Sequence, residues 1–100
     1  MAQIRWTEEA SRWLQDIHDY IAADNPNAAQ RVVSGIYERI QVLAEFPEIG
    51  YVFQREDDGD VRILLYGHYR IAYRVERAET VTILGVFHGA MEIERYLQRW

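Results

Sequence analysis

Arginine is the residue type in this sequence whose placement points most directly to chemistry. Residues 61–77 contain four arginines and one acidic residue, whereas residues 1–50 contain four arginines and eight acidic residues. The whole chain carries a formal charge of −5. Guanidinium groups bind carboxylates and phosphates through paired hydrogen bonds. The segment is therefore a local basic patch on an acidic protein, with Arg62, Arg70 and Arg74 as candidate binding residues.

These arginines belong to a predicted β-meander that spans residues 61–88. Three runs rich in β-branched and aromatic residues are separated by short breaks at 66–68 and 76–79, as in consecutive hairpins. Because side chains alternate between the two faces of a strand, we expect one apolar and one basic face. The apolar row comprises Val61, Ile63 and Leu65 in the first run and Tyr69, Ile71, Tyr73 and Val75 in the second; Arg62, Arg70 and Arg74 are expected on the opposite, basic face.

Two interpretations of the basic face are open from the sequence. Arg70 and Arg74 could pair across strands with Glu76 or Glu79, an arrangement that contributes little at a surface. Alternatively, the face anchors an acidic segment of a partner protein. All 11 cationic residues are arginine, which fits either a compositional bias of the genome or selection for bidentate contacts. Composition therefore does not choose between the two interpretations.

Other polar residues are weaker site candidates. His88 ends the last predicted strand and could act as an acid or a base, although a hydrogen-bonded histidine at a strand end is the commoner case. His18 and His68 have no companions at metal-ligand spacing. The acidic run 56–60 offers too few liganding positions for a calcium loop and is expected to be a solvated turn. We therefore expect no metal site and no cofactor.

Two amphipathic helices are predicted to cover the apolar face of the meander. The first spans residues 8 to about 23 and the second begins at Pro26 and is stopped by the segment 47–50. Thr7 and Asn25 are the expected N-caps, and Pro26 suits the first helical position because its missing N–H is not needed there. The apolar stripes are Ala10, Trp13, Leu14, Ile17, Tyr20 and Ile21 in the first helix and Ala29, Val32, Val33, Ile36, Ile40 and Leu43 in the second.

The remaining segments complete one domain over residues 1–100. Alternating residues predict a short strand at 3–6 and a brief strand at 51–55, and residues 90–98 suit a short helix. The predicted fold class is α+β: an N-terminal strand and a two-helix hairpin packed on an antiparallel meander sheet, with a short C-terminal helix. Gly35 within the second helix costs up to about 1 kcal/mol relative to alanine. We therefore expect the first helix to pack closely against it.

Composition excludes several classes of protein. The chain has no cysteine, which rules out disulfides, thiolate metal sites and a cysteine nucleophile. No apolar run approaches the roughly 20 residues needed to span a bilayer, and the N-terminus lacks the features of a signal peptide. We therefore expect a cytoplasmic protein that does not bind membranes.

Four phrases of the sequence are similar to those of a known family: DNPNAAQRVVSGI, LAEFPEIG, VRILLYGHYRIAYRV and VTILGVFHG. With the predicted order of elements, they resemble the RelE/ParE family of toxins from type II bacterial toxin–antitoxin systems over nearly the whole chain. The resemblance implies a cognate antitoxin as partner in a hetero-oligomer, and one of two activities. Toxins of the RelE branch cleave mRNA in the ribosome, and toxins of the ParE branch poison DNA gyrase.

The resemblance to the RelE branch is partial. It implies catalytic roles for Arg62, Arg70 and Tyr96, but Leu64 and residues 89–91 stand where that branch has further cations. Cleavage at a phosphate needs charge stabilisation and proton transfer, and a charge of −5 opposes approach to RNA. We therefore favour a ParE-like gyrase inhibitor, for which no catalytic residue is assigned. The alternatives are a ribosome-dependent mRNA endonuclease and a non-toxic interaction module with the same fold.

The apolar content suggests how an antitoxin would bind. The chain is 49% hydrophobic, and Tyr37, Phe53 and Trp100 fall outside the main stripes, so we expect them to be exposed. An exposed apolar patch of several hundred Å² marks a partner site. We expect the antitoxin to bind as a helix plus an extended segment that crosses the helix hairpin and reaches the sheet. The residues expected to bind the antitoxin or the target are Arg62, Arg70, Arg74 and Trp100.

Overall fold

The helices and strands follow the predicted order, and the α+β class is confirmed. A computed structural model describes residues 1–76, 79–89 and 93. The predicted strand at 51–55 ends one residue earlier than expected. In chain order the elements are β1 (Gln3–Trp6), α1 (Glu8–Ala22), α2 (Pro26–Gln41), a 3-10 turn (Val42–Ala44), β2 (Tyr51–Gln54), β3 (Val61–Tyr66), β4 (Tyr69–Glu76) and β5 (Thr80–His88).

Both helices begin at the predicted caps. The Thr7 hydroxyl accepts a hydrogen bond from the amide of Ala10 at 3.0 Å, and the Asn25 side chain accepts one from the amide of Ala28 at 3.0 Å. These acceptors satisfy amides that have no partner within the first helical turn. The Thr7 hydroxyl also donates to the carbonyl of Ile83 at 3.1 Å. The start of α1 is thereby attached to β5.

Two predictions for the helices were wrong in detail. Helix α2 ends at Gln41 and continues as a short 3-10 turn, so it stops before the segment 47–50 rather than at it. Leu43 in that turn is nevertheless fully buried, as its place in the apolar stripe predicted. In α1, Tyr20 was assigned to the buried stripe, but it is 76% exposed.

The five strands form one mixed sheet in the order β1-β5-β4-β3-β2. Strands β3, β4 and β5 are the predicted antiparallel meander. Strand β1 pairs with β5 in parallel, with Gln3 opposite Thr80, which the sequence did not indicate. Strand β2 forms the other edge and contains a bulge between Val52 and Gln54.

The main core lies between the helix hairpin and one face of the sheet, called here the helix face. Tyr69 and Val75 pack at the margin of this core and are partly buried. Its fully buried members from the helices are Ala10, Ile36, Ile40 and Leu43, and those from the sheet are Ile71, Tyr73, Val81, Ile83 and Val86, with Leu14 and Leu64 almost fully buried.

The pairing of β3 with β4 contradicts the predicted basic face. The two-residue turn between these strands pairs Tyr66 with Tyr69, so Arg62 is paired with Tyr73 and Val61 with Arg74. Paired residues of antiparallel strands point to the same face of a sheet. Arg62 therefore lies on the helix face, whereas Arg70 and Arg74 lie on the opposite face, called here the outer face.

The outer face is also more apolar than predicted. It carries a second cluster of buried hydrophobic residues, with Phe53 and Trp13 packed against it. Phe53 was expected to be exposed, but it is partly buried because it contacts this cluster. The members of the cluster are Val61, Ile63, Ala72, Leu84, Phe87 and Ile93.

Gly35 makes its close approach to the sheet rather than to α1. A β-carbon at Gly35 would lie 1.8 Å from the phenol oxygen of Tyr66 and 2.5 Å from its ring carbon Cζ. Tyr66 is on the helix face at the end of β3. The glycine therefore makes room for an aromatic ring of the sheet, and the predicted contact with α1 was the wrong explanation.

Several predictions concern residues that the structure does not describe. The expected helix at 90–98, including Tyr96, lies outside the described residues except for Ile93, as does Trp100. Ile93 is buried in the outer-face cluster. Tyr37 is 46% exposed, as expected. Among the described helices, none is long and apolar enough to cross a membrane.

Candidate functional site

Arg62 holds the loop between α2 and β2. Its Nη1 donates to the carbonyl oxygens of Glu48 at 3.1 Å and Gly50 at 2.8 Å. Hydrogen bonds from a charged donor are stronger than neutral ones. Arg62 therefore fixes the conformation of this loop, and its guanidinium group is directed toward backbone carbonyls.

Arg74 is on the outer face, but its charge is matched within the protein. Its Nη2 forms an ion pair with the carboxylate of Glu56, and the two side chains are only 17% and 29% exposed. The sequence suggested Glu76 or Glu79 as its partner, whereas the structure provides a residue of the acidic turn 56–60. In the same turn the Asp60 carboxylate accepts from the amide of Glu56 at 3.1 Å and pairs with Arg55 at 3.2 Å.

Arg70 lies on the outer face among apolar neighbours. Its cross-strand partner in β3 is Leu65, which is 54% exposed, and its partner in β5 is Phe87, which is buried. Its Nη2 donates to the carbonyl of Gly89 at 3.2 Å. The outer-face positions of β3 are Val61, Ile63 and Leu65. This strand therefore adds no cation beside Arg70.

The pairing of β3 with β4 also determines where the positions that correspond to RelE-branch cations lie. Leu64 is 2% exposed and packs in the main core, and it lies on the helix face with Arg62. Neither residue shares a face with Arg70. The predicted set of Arg62 and Arg70 therefore cannot surround one phosphate, and the position of Tyr96 is outside the described chain.

Tyr73 was predicted to be a core residue, and it is fully buried. Its phenol oxygen accepts a hydrogen bond of 2.9 Å from the amide of Gly50. Burial raises the pKa of the phenol, although the Gly50 hydrogen bond and the nearby charge of Arg62 act in the opposite direction. A neutral tyrosine is suited to a structural role, and it anchors the same loop that Arg62 holds.

The three histidines have different surroundings. His88 is at the end of β5, where its ring lies 6.4 Å from that of His68 and 5.8 Å from that of Tyr69, measured between centroids. His18 is hydrogen-bonded to Asp19 at 3.2 Å, and this contact lowers the pKa of the Asp19 carboxyl. Within residues 1–76, 79–89 and 93, no three metal-binding side chains come together.

A further surface was missed from the sequence. The loop after α2 exposes Phe46 by 58% and Ile49 by 51%. Together with Pro47 and Glu48, these residues line an open groove of about 380 Å³. Their apolar character was visible in the sequence, but the segment was interpreted only as a helix stop. We call Phe46, Pro47, Glu48 and Ile49 the loop surface.

Sequence comparisons connect this fold to known toxins. The model of the ParE toxin family of type II toxin–antitoxin systems matches residues 4–93. The protein Y4kP of Sinorhizobium fredii is 40% identical over 87 residues, which cover 87% of this chain and 88% of the relative. The toxin RelE2 of Caulobacter vibrioides is 44% identical over 50 residues, covering 50% of this chain and 57% of the relative.

Solved structures show the same architecture. A chromosomal ParDE toxin–antitoxin system from P. aeruginosa aligns with a TM-score of 0.71 at 26% identity, covering 88% of this chain and 96% of the other. The RelBE2 complex of Mycobacterium tuberculosis aligns with a TM-score of 0.57 at 27% identity, covering 87% and 96%. The archaeal RelE–RelB complex of Pyrococcus horikoshii, at 16% identity and a TM-score of 0.64 over 91% and 98%, shares the fold. The chain belongs to the ParE family of toxins from type II toxin–antitoxin systems.

Proposed function

We propose that this toxin inhibits DNA gyrase and is neutralised by direct binding of a cognate antitoxin. The observation that carries the choice of target is the environment of Arg70. Its cross-strand neighbours, Leu65 and Phe87, are both hydrophobic. A site that cleaves RNA must stabilise the charge that develops on a phosphate, which requires several convergent donors. Within the described residues, the cross-strand neighbours of Arg70 add no donor, which supports a surface that binds protein.

The comparisons support the same choice. The matching family model is that of ParE toxins, and the ParDE structure aligns with a higher TM-score than the RelBE2 complex. The net charge of −5 also opposes entry into the polyanionic ribosome. Inhibition of gyrase is a protein-binding activity, so it requires no catalytic residue in this chain.

An antitoxin is proposed as the partner because the solved neighbours are toxin–antitoxin systems. Arg70, which also donates to the carbonyl of Gly89, lies on the outer face beside the exposed Leu65. This combination fits an extended antitoxin segment that has an acidic residue next to an apolar one. Tyr37 on the helix hairpin is available to an antitoxin helix, which would gain about 25 cal/mol per Å² of apolar area buried.

A second candidate is a ribosome-dependent mRNA endonuclease. One observation favours it: the Caulobacter relative, 44% identical over 50 residues, is named RelE2. In that case Arg70 would contribute to catalysis from the outer face, whereas Arg62 lies on the helix face. The two activities predict different causes of growth arrest, which can be separated directly.

The test is expression of the toxin without its antitoxin, together with assays of the purified protein. We expect growth arrest with induction of the DNA-damage response, and inhibition of plasmid supercoiling by purified gyrase. The matched assay is translation in a purified ribosome system, where we expect intact mRNA. Cleavage of mRNA with normal supercoiling would support the endonuclease instead, and normal growth at confirmed expression would support the non-toxic module.

A further inference from the structure

We propose that the loop surface is the contact through which this toxin binds a basic segment of its protein target, separately from the antitoxin. This inference rests on the proposed function, because the target is taken to be gyrase. The loop surface consists of Phe46, Pro47, Glu48 and Ile49, and Phe46 and Ile49 are each more than half exposed.

The loop is held rigidly, although its exposed side chains add little to the core. The amide of Ile49 donates to the carbonyl of Phe46 at 3.2 Å, and the amide of Phe46 donates to the carbonyl of Val42 at 2.9 Å. Arg62 donates to the carbonyls of Glu48 and Gly50, and the phenol oxygen of Tyr73 accepts from the amide of Gly50. Apolar side chains on a fixed loop bind with a small loss of conformational entropy.

Gly50 explains why the loop can be held so closely. A β-carbon at this position would lie 2.6 Å from the carbonyl oxygen of Ile63 and 2.7 Å from the phenol oxygen of Tyr73. Only glycine lets the loop come this near to β3 and β4. The end of the loop is thus packed directly against the sheet, which leaves Phe46 and Ile49 in a defined position.

The charges beside the groove identify the chemistry of the partner. Glu45 and Glu48 are both exposed, and neither carboxylate has an ion-pair partner among the residues that the structure describes. An apolar groove bordered by carboxylates is complementary to a segment that carries apolar side chains next to lysine or arginine. It would repel DNA or RNA because their phosphates have the same charge.

Two other occupants fit less well. A second copy of this chain would bring Glu45 and Glu48 close to the same residues of its partner, so like charges would oppose a symmetric dimer through this surface. The antitoxin segment proposed for Arg70 is acidic and would be repelled in the same way. An enzyme that handles DNA must expose basic residues to bind phosphates. Such a residue beside an apolar side chain would match the loop surface.

Two variants test the surface without altering the contacts that hold the loop. Phe46→Ser with Ile49→Ser removes the exposed apolar side chains, and Glu48→Arg reverses a charge while keeping the backbone carbonyl that Arg62 binds. The matched control is Tyr20→Ser, which removes a comparably exposed aromatic side chain from α1. Melting temperatures of all variants establish that the fold is retained.

We expect both loop variants to require at least 10-fold more protein for half-maximal inhibition of gyrase supercoiling and to permit growth without antitoxin. Their affinity for the cognate antitoxin should stay within 2-fold of wild type, and Tyr20→Ser should still arrest growth. Undiminished toxicity of the loop variants would overturn the inference. Loss of antitoxin affinity would also overturn it, since the surface would then belong to the antitoxin.

The same experiment separates this inference from the proposed function. If the wild-type protein leaves gyrase active but arrests growth, the gyrase proposal fails. The loop surface would still be supported as the contact with another basic target if both loop variants abolish growth arrest and retain antitoxin binding. If Phe46→Ser with Ile49→Ser unfolds the protein, Glu48→Arg decides, because Glu48 is exposed and the Arg62 contact uses its backbone carbonyl; its melting temperature shows that the loop is retained.

Discussion

The amide of Gly50 donates a hydrogen bond of 2.9 Å to the buried phenol oxygen of Tyr73. This contact joins the loop after α2 to the middle of the sheet. Replacing Tyr73 with Phe would leave the Gly50 amide buried without an acceptor, which costs about 1–3 kcal/mol. Urea unfolding of the Tyr73→Phe protein should show this loss. The control is Tyr51→Phe, which alters an exposed ring and should change stability by less than about 0.5 kcal/mol.

The same tyrosine makes stability depend on pH in alkaline solution. Burial raises the pKa of Tyr73 above its ordinary value of 10.0, so ionisation is less favourable in the folded than in the unfolded chain. Its contribution is fully present below the unfolded pKa and is lost as the pH rises through the folded pKa. Unfolding free energies measured from pH 8 to 11 should therefore fall less steeply for Tyr73→Phe than for wild type. Parallel curves would assign the alkaline loss to other groups.

The local features of the helices could be predicted because each depends on neighbouring residues. Thr7 and Asn25 both cap their helices as expected, and the stripes of α1 and α2 supply the buried residues Leu14, Ile36 and Ile40. Tyr20 was assigned wrongly because periodicity continues to the end of a helix, where this side chain is 76% exposed. The parallel pairing of β1 with β5 is a long-range contact, and no local pattern encodes it.

The face of Arg62 was predicted wrongly for a different reason. Alternation within one strand does not give its phase relative to the next strand. The two-residue turn pairs Tyr66 with Tyr69, so even-numbered residues of β3 share a face with odd-numbered residues of β4. Strand β3 has apolar residues on both faces, including Ile63 and Leu64. Hydrophobicity alone therefore could not show which residues of β3 share a face with those of β4, whereas the length of the turn determines it.

The separation of Arg70 from Arg62 gives a direct test of the antitoxin site. Arg70→Ala should weaken antitoxin binding by about 1–3 kcal/mol, the usual effect of losing a charge-assisted hydrogen bond. Arg62→Ala removes the same charge from the helix face and should change the affinity little, although it should lower stability because two carbonyl contacts of the loop are lost. Calorimetric titrations of the two variants make the comparison. Equal losses of affinity would contradict the assignment of Arg70.

Arg74 is expected to act in folding rather than in binding. Its ion pair with Glu56 is largely buried, so Glu56→Gln would leave a poorly solvated guanidinium group without its counter-charge. We expect a loss of about 1–3 kcal/mol, reduced from that of a fully buried pair by partial exposure. Arg74→Met should cost less than Glu56→Gln because it removes the charge and keeps the apolar stem. If Arg74→Met instead weakens antitoxin binding without a change in unfolding free energy, Arg74 is a binding residue.

An alanine at Gly35 would have two opposite effects on stability, and their balance can be measured. Alanine favours a helix over glycine by up to about 1 kcal/mol, but its β-carbon would lie 1.8 Å from the Tyr66 phenol oxygen. The Tyr66 ring is partly buried beside the core, so moving it should cost about 1–3 kcal/mol. Gly35→Ala alone should therefore destabilise the protein.

In a Tyr66→Leu background the obstructing end of the ring is absent, and Gly35→Ala should become neutral or stabilising. The four proteins form a double-mutant cycle, in which unfolding free energies give the coupling between the two positions. Additive effects would show that Tyr66 moves aside without cost and that Gly35 has another role.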